Sequence, residues 1–318
     1  ALASGADSVE INLVPVAVFG LLGYAVTLYV LSRIVEGVRK ATDRLVTTLV
    51  STAFALALIP LISLAYTVVT NGIARFDIEF FTFSMRNIVG EGGGALHAII
   101  GTLEITGIAT LISVRVGILA AIYLIEYGRG TIARLVTFFV DVMTGVPSIV
   151  AGLFAYALFV IFFGSGVRMG LGGAIVLSVL MIPVVIRATE EMLKIVPNEL
   201  REAAYALGVP KWLTVLKVVL PTALAGIATG VMIAIARVIG ETAPLLLIAG
   251  FTASMNYNPF DERMMTLPVF VYTSYANQGV DMQAYVDRAW AGALTLMIIV
   301  MVLNLVARLI SKYFSPKG

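Results

Sequence analysis

The chain of 318 residues is far more apolar than an average soluble domain: 60% of its residues are hydrophobic, 13% are charged, and its mean hydropathy is +1.00. Its formal net charge of +2 does not point to a nucleic-acid-binding protein, and the absence of cysteine excludes disulfides and thiolate metal sites. This composition predicts an all-α protein that crosses a membrane several times.

Seven apolar runs are long enough to cross a bilayer as helices, which takes about 20 residues each. They lie at 11–32, within 45–74, from about 98, within 142–167, at 169–186, from about 218 and at 289–307. The first could be mistaken for a signal peptide. Its length, the lack of a basic leading segment and the basic cluster at 33–44 favour a retained span.

The distribution of Lys and Arg predicts the orientation, because these residues accumulate in short cytoplasmic loops. With the C-terminus inside, 14 of the 21 basic residues fall on the cytoplasmic side and two, Arg115 and Arg237, lie within apolar segments. The five on the other side are Arg75, Arg86, Arg168, Arg263 and Arg288. We therefore predict an outside N-terminus and a cytoplasmic C-terminus.

Two further residues, Asp141 and His97, could have a structural or a binding role. Asp141 precedes the fourth predicted span, and we favour a structural role at the start of that helix over substrate contact. His97 is the only histidine and lies beside a Gly-rich segment at the outer boundary. Since no second His or Cys accompanies it, we expect a headgroup or loop contact rather than a metal site.

The most highly charged loop, at about 187–221, is predicted to contain a short amphipathic helix at 196–207. Pro197 falls in its first turn, where a missing N–H costs little. Gly208 would end the helix in the left-handed conformation that glycine tolerates. Pro210 would then open a second helix, and the following Pro221 marks the start of the next span.

Small residues, Ala203 and Ala204, lie on this helix beside charged ones. Such a surface suits docking into a groove of another protein. The alternative is an ordinary charged loop, and composition alone leaves both interpretations open.

The residues of this loop resemble the EAA motif of ABC importer permeases. The match consists of Glu202, Ala203 and Ala204, then Gly208 after three residues, and Val218, Leu220 and Pro221 after nine more. The pattern commonly has Ile in place of Val218. In that family the loop forms a coupling helix that sits in a cleft of a cytoplasmic ATPase.

The resemblance implies that Glu202 makes the polar contact and that Ala203 and Ala204 permit close approach. Gly208 makes the turn, and Arg201 belongs to the same coupling surface.

Further stretches are similar to the PstA-type permeases of phosphate importers. They include EGGGALHAIIGT from residue 91, AAIYLIEYGRG from 120, GVPSIVAGLF from 145 and AIARVIGETAPLLLIAG from 234. The segment GETAPLL distinguishes this family from its PstC-like partner. The resemblance covers about residue 43 to the C-terminus.

This resemblance implies a MetI-like permease core of six transmembrane helices, preceded by one extra N-terminal helix. We predict two parts: 1–42, the extra helix and a cytoplasmic linker, and 43–318, the permease domain with its coupling loop at about 187–221. Glu104 and Arg115 depart from the family pattern. Arg115 lies near the predicted inner interface, where it can extend its charge to the headgroups.

The implied function is that of a permease subunit of an ATP-driven phosphate importer in a prokaryotic plasma membrane. The implied partners are a PstC-type permease, two PstB-type ATPase subunits and a PstS-type phosphate-binding protein. No G-x-x-x-x-G-K-[ST] loop and no catalytic constellation occur. We therefore expect a non-catalytic chain that binds no cofactor, with ATP and Mg²⁺ held by the partner ATPase.

Two charged pairs are candidates for the substrate pathway, because ionisable residues inside membrane spans usually face a polar cavity, a partner or a pathway. Arg237 and Glu241 are four residues apart, a spacing that lets them pair on one helical face. Arg187 and Glu190 would form a second pair near the cytoplasmic end. The alternative for these pairs is an ion pair that fastens helices together.

The segment at Pro147 and Ser148 is expected to shape the fourth predicted span, at a subunit interface or a gate. On the outer side, the loops at 71–97 and 250–287 would meet the binding protein by resemblance. Their aromatic residues could instead form a headgroup belt.

Three rival functions remain open at this point. The first is an ion-coupled carrier or channel that works without an ATPase. The second is a PstC-like permease or an importer of another oxyanion, against which GETAPLL argues. The third is a membrane scaffold, under which an intramembrane Arg237 is hard to explain.

Overall fold

Thirteen α-helices and no β-strand occur within residues 13–314, the part of the chain that the computed structural model describes. Six helical segments of this part are long and apolar enough to cross a membrane, and a sharply bent helix pair supplies a seventh if it is one span. This confirms the all-α, polytopic class. Residues 11 and 12 of the first predicted span lie outside the described residues.

The packing divides the chain into two compact units at Thr67/Val68, inside the second helix. The first unit contains α1, Leu13–Val35, and most of α2, Val38–Gly72. Gly37 joins the two helices with φ +90°, a value that glycine adopts without steric cost. The predicted functional division at 42/43 stays a prediction.

The second unit contains the remaining helices. They are α3 (Ile78–Thr82), α4 (Leu96–Ile122), α5 (Thr131–Gly145), α6 (Ser148–Phe163), α7 (Gly170–Ile195), α8 (Asn198–Ala206), α9 (Lys211–Thr214), α10 (Leu220–Val238), α11 (Ala243–Ile248), α12 (Leu267–Ala276) and α13 (Met282–Phe314). A π-helical turn, Tyr123–Tyr127, ends the α4 span.

The core of this unit is the pair α4 and α7, which approach closely through small residues. A side chain on Gly117 of α4 would place its Cβ 2.6 Å from Val185 of α7. Ser113 donates to the Ser178 carbonyl at 3.3 Å, so the two helices also share a buried hydrogen bond. Close packing of small residues and interhelical hydrogen bonds stabilise helix association in lipid, because the hydrophobic effect does not favour it there.

The third core helix, α10, runs antiparallel to α7. Gly226 of α10 faces Met192, and Gly230 faces Ala188, so rising numbers on one helix meet falling numbers on the other. The two glycines again allow the backbones to approach. The α4, α7 and α10 helices thus form the packed centre of this unit, and α7 and α10 carry Arg187, Glu190 and Arg237.

The fourth predicted span was placed within 142–167, where α6 (Ser148–Phe163) lies, but α6 is joined to α5 through a sharp bend that the prediction did not include. The chain forms α5 and α6, which meet at an angle of 110°. Val146 is extended, with φ −72° and ψ 125°, as the residue before a proline prefers, and Pro147 precedes α6. Pro147 and Ser148 therefore stand at the bend between the two helices, and their predicted role in shaping the span or forming a gate stays a prediction.

Three other predicted boundaries were wrong. The α7 helix continues to Ile195, nine residues beyond the predicted end at 186. The next span begins at Lys211 rather than near 218, and it contains a π-helical turn, Val215–Val219, before Pro221. A π-turn relaxes the hydrogen-bond ladder where proline lacks an N–H. The last helix begins at Met282, not 289.

The charged loops of the second unit gather at two ends. One end carries Glu126, which is contacted by both Arg201 and Lys211. At the other end Arg168 and Arg263 both approach Gly250, and Arg288 donates to the carbonyl of Gly90 at 2.6 Å. The grouping of these loops agrees with the predicted sidedness, and which end is cytoplasmic stays a prediction.

Candidate functional site

The predicted coupling motif lies on α8, a nine-residue helix between two long spans. Pro197 stands immediately before it. The helix ends in a Schellman arrangement: Val209 N–H donates to the Ala204 carbonyl at 3.1 Å, and Gly208 N–H donates to the Tyr205 carbonyl at 2.9 Å. Gly208 has φ +77°, so the predicted glycine turn is confirmed.

The two faces of α8 differ. Glu202 and Ala203 are exposed, whereas Ala204 is only 7% exposed and packs against the chain's own helices. The prediction that Ala204 permits close approach of a partner was therefore wrong, because Ala204 faces the chain's own helices. The free face that remains is defined by Glu202 and Ala203, with Tyr205 exposed beside them.

Arg201 was also misplaced by the prediction. Its guanidinium points into the chain, where Nη2 lies 2.9 Å from Oε1 of Glu126. The side chains are 12% and 5% exposed, respectively. Neighbouring side chains of an α-helix point about 100° apart, so Glu202 can face solvent while Arg201 faces the chain. The prediction had assigned both residues to the docking surface.

Arg187 and Glu190 form the predicted pair, with Nη1 and Oε2 2.7 Å apart. Both lie within α7 rather than in a loop. The Glu190 side chain is 6% exposed, and that of Arg187 is 34% exposed. The geometry alone fits both predicted uses of this pair, a pathway lining and a helix fastener.

Asp141 is a third member of this cluster. It pairs with the other terminal nitrogen of Arg187, while its own side chain is 61% exposed. Asp141 lies near the end of α5, so the predicted role at the start of a helix was wrong. The sequence interval of 46 residues between the two partners hid this contact.

The predicted Arg237–Glu241 pair does not form. The α10 helix ends at Val238, Gly240 follows, and α11 begins at Ala243 with Pro244 in its first turn. Since Glu241 lies beyond the helix end, a four-residue spacing no longer puts the two side chains on one face. Arg237 is exposed and has no ion pair or side-chain hydrogen bond within residues 13–314.

The positions of Arg187 and Arg237 along the helix pair can be compared. Gly230 faces Ala188, the neighbour of Arg187, and Arg237 lies seven residues beyond Gly230 on α10. At a rise of 1.5 Å per residue, Arg237 is about 10 Å nearer the opposite end than Arg187. The two arginines therefore lie at successive levels along the same helix pair.

The remaining candidate residues have other surroundings. His97 is buried, at 2% exposure, and its ring packs at right angles against Phe270 of α12. Of the two contacts predicted for it, headgroup or loop, the headgroup contact was therefore wrong. Arg115 is exposed and Glu104 is half-buried. Within the described part of the chain, no group of three or more His, Cys, Asp or Glu residues could hold a metal ion.

Several solved transporter structures share this fold. The model superposes on an inward-facing MetNI methionine ABC transporter structure with a TM-score of 0.57 and 20% identity, covering 69% of this chain and 95% of the other. A bacterial alginate ABC transporter gives a TM-score of 0.60 at 15% identity, covering 90% and 99%. These likenesses establish the permease fold.

Sequence comparison is more specific. Residues 113–317 match the family model described as "Binding-protein-dependent transport system inner membrane component". The chain is 44% identical over 275 residues to "Phosphate transport system permease protein PstA 1" of Mycobacterium tuberculosis (strain CDC 1551 / Oshkosh), covering 86% of this chain and 89% of the relative. It is 41% identical to PstA of Pasteurella multocida (strain Pm70), covering 85% and 95%. The chain therefore belongs to the binding-protein-dependent inner membrane components, and within them to the PstA-type permeases.

Proposed function

We propose that the chain is the membrane permease subunit of an ATP-driven importer of inorganic phosphate. The observation that carries the proposal is the coupling helix α8, which presents an exposed carboxylate, Glu202, beside the small Ala203 at one end of the membrane core. Identity to relatives named as phosphate transport system permeases supports the substrate.

The finer assembly follows from the same reasoning. A PstC-type permease would complete the pathway, two PstB-type ATPase subunits would dock at the coupling helices, and a PstS-type binding protein would deliver phosphate. ATP and Mg²⁺ would be held by the ATPase subunits. The chain would lie in the plasma membrane of a prokaryote, with its N-terminus outside and C-terminus inside.

Two guanidinium groups, those of Arg237 and Arg187, would guide phosphate. Arg237 is exposed and unpaired within the described residues, so it can offer its planar fork to an anion that carries one to two negative charges. Arg187, about 10 Å further along, stands between two carboxylates. Those carboxylates would weaken its hold on phosphate and so favour release.

The experiment is ATP-driven phosphate uptake in vesicles that contain the chain, the second permease, the ATPase and the binding protein. Glu202→Lys reverses the charge on the free face of α8, and we expect uptake and ATPase retention to fall together. Glu191→Lys is the matched control, since Glu191 is an exposed carboxylate at the end of α7.

Uptake by Glu202→Lys at the level of the unchanged chain would contradict the coupling role. Phosphate transport by the chain alone, without the ATPase, would support the rival ion-coupled carrier. Uptake of molybdate in preference to phosphate would support an importer of another oxyanion.

A further inference from the structure

We propose that Glu126 and Arg201 form the link by which movement of the coupling helix α8 reaches the membrane span α4. This inference rests on the proposed function and names two residues through which it acts. Arg201 points away from the free face of α8, and Glu126 lies outside this helix. Both are therefore positioning residues rather than contacts to the ATPase.

The guanidinium of Arg201 is held on every nitrogen. Nε and Nη2 both donate to Oε1 of Glu126, at 3.1 and 2.9 Å. Nη1 donates to the Val196 carbonyl at 2.7 Å, and Nη2 also donates to the Leu193 carbonyl at 3.0 Å. One side chain of α8 is thus fixed to the ends of both α4 and α7.

Glu126 lies in the π-helical turn Tyr123–Tyr127, which ends the α4 span. The same turn is held a second time, because the ammonium of Lys211 donates to the Glu126 carbonyl and lies 5.0 Å from the centre of the Tyr127 ring. Lys211 begins α9, on the far side of the Gly208 turn. Residues on both sides of the Gly208 turn, Arg201 before it and Lys211 after it, therefore contact the end of α4.

This arrangement restricts how α8 can move. The ion pair is almost fully shielded from water, with Arg201 12% and Glu126 5% exposed, and separation would leave two charges without partners. A displacement of α8 by the ATPase would carry the end of α4 with it. Because α4 packs closely on α7 through Gly117 and Ser113, the displacement would pass into the core.

Glu202, which faces outward, and Arg201, which faces inward, would then have different roles in coupling. Glu202 receives the movement of the ATPase, and the neighbouring Arg201 passes it on. Loss of the link should leave ATP hydrolysis intact while its connection to transport fails. A residue that only stabilises the fold would lower both activities in proportion.

The first experiment measures phosphate imported per ATP hydrolysed in the complete assembly. For Glu126→Ala we expect this ratio to fall about tenfold, within the range of typical coupling energies, while ATP hydrolysis stays within about twofold. Glu126→Gln keeps an acceptor and should give an intermediate ratio. Glu191→Ala, which removes an exposed carboxylate of α7, is the control and should leave the ratio unchanged.

The second measurement does not depend on transport. The chain has no cysteine, so spin labels can be placed at Arg129→Cys and Leu207→Cys, two exposed sites just beyond the ends of the two linked elements. We expect one narrow distance distribution for the isolated chain with Glu126, and a broadened or shifted distribution with Glu126→Ala.

An unchanged ratio, or equal loss of uptake and hydrolysis, would overturn the link. So would an unchanged distance distribution in Glu126→Ala. If the unaltered assembly imports no phosphate with ATP, the proposed function fails, and the distance measurement on the isolated chain still decides whether the link exists.

Discussion

The cluster of Asp141, Arg187 and Glu190 gives a quantitative prediction. The change Arg187→Met removes the positive charge and keeps a side chain of similar length. It leaves Glu190, whose side chain is only 6% exposed, without its 2.7 Å partner. Asp141 is 61% exposed, so water can solvate it at little cost.

The magnitude follows from the burial of the pair. Removing one partner of a buried ion pair costs about 3–5 kcal/mol, because an uncompensated charge remains inside. The Arg187 side chain is 34% exposed, so the lower end applies, and we expect a loss of about 3 kcal/mol. This corresponds to about a 150-fold change in the unfolding equilibrium.

The assay is reversible unfolding in mixed detergent micelles, with the double change Arg187→Met, Glu190→Met as the matched comparison. The double change removes both charges, so most of the lost stability should return. Phosphate uptake should remain low in the double variant if Arg187 serves the pathway.

Two outcomes would refute this reasoning. If Arg187→Met has the same free energy of unfolding as the unchanged chain, Glu190 is not a buried charge. Full uptake by a stable double variant would mean that the pair fastens helices and does not serve phosphate.

Three further predictions concern single residues. Gly117→Leu should lower the stability in detergent by about 1–3 kcal/mol, because its Cβ would meet the facing α7 helix at 2.6 Å, whereas Gly107→Leu on the same helix faces open space and should not. Gly208→Ala adds strain of about 1 kcal/mol at φ +77° and should weaken ATPase retention in a pull-down; full retention would argue against the turn's importance. Arg237→Gln should reduce phosphate uptake with assembly intact, whereas Arg115→Gln, at a position that is also exposed, should not. Uptake by Arg237→Gln at the level of the unchanged chain would exclude a pathway role for Arg237.

The long helices were predictable because an apolar run of sufficient length has few alternatives in a bilayer. The end of α7 was not, since the prediction stopped at the first charge, Arg187. The helix continues because Arg187 and Glu190, one turn apart, neutralise each other.

Local signals were present for two of the errors. Gly240 and Pro244 mark the break that separates Arg237 from Glu241, and Pro147 marks the bend between α5 and α6. The Glu126–Arg201 and Asp141–Arg187 contacts had no such signal. Each joins residues far apart in the chain, so only the packing of the helices brings them together.

The central claim is that this chain moves phosphate only as part of an ATP-driven assembly. The most direct measurement is uptake of radiolabelled phosphate into vesicles, compared between the complete assembly with ATP, the same assembly without ATP, and the chain alone. We predict uptake in the first case only, with little competition from molybdate. Equal uptake without ATP, or by the chain alone, would contradict it.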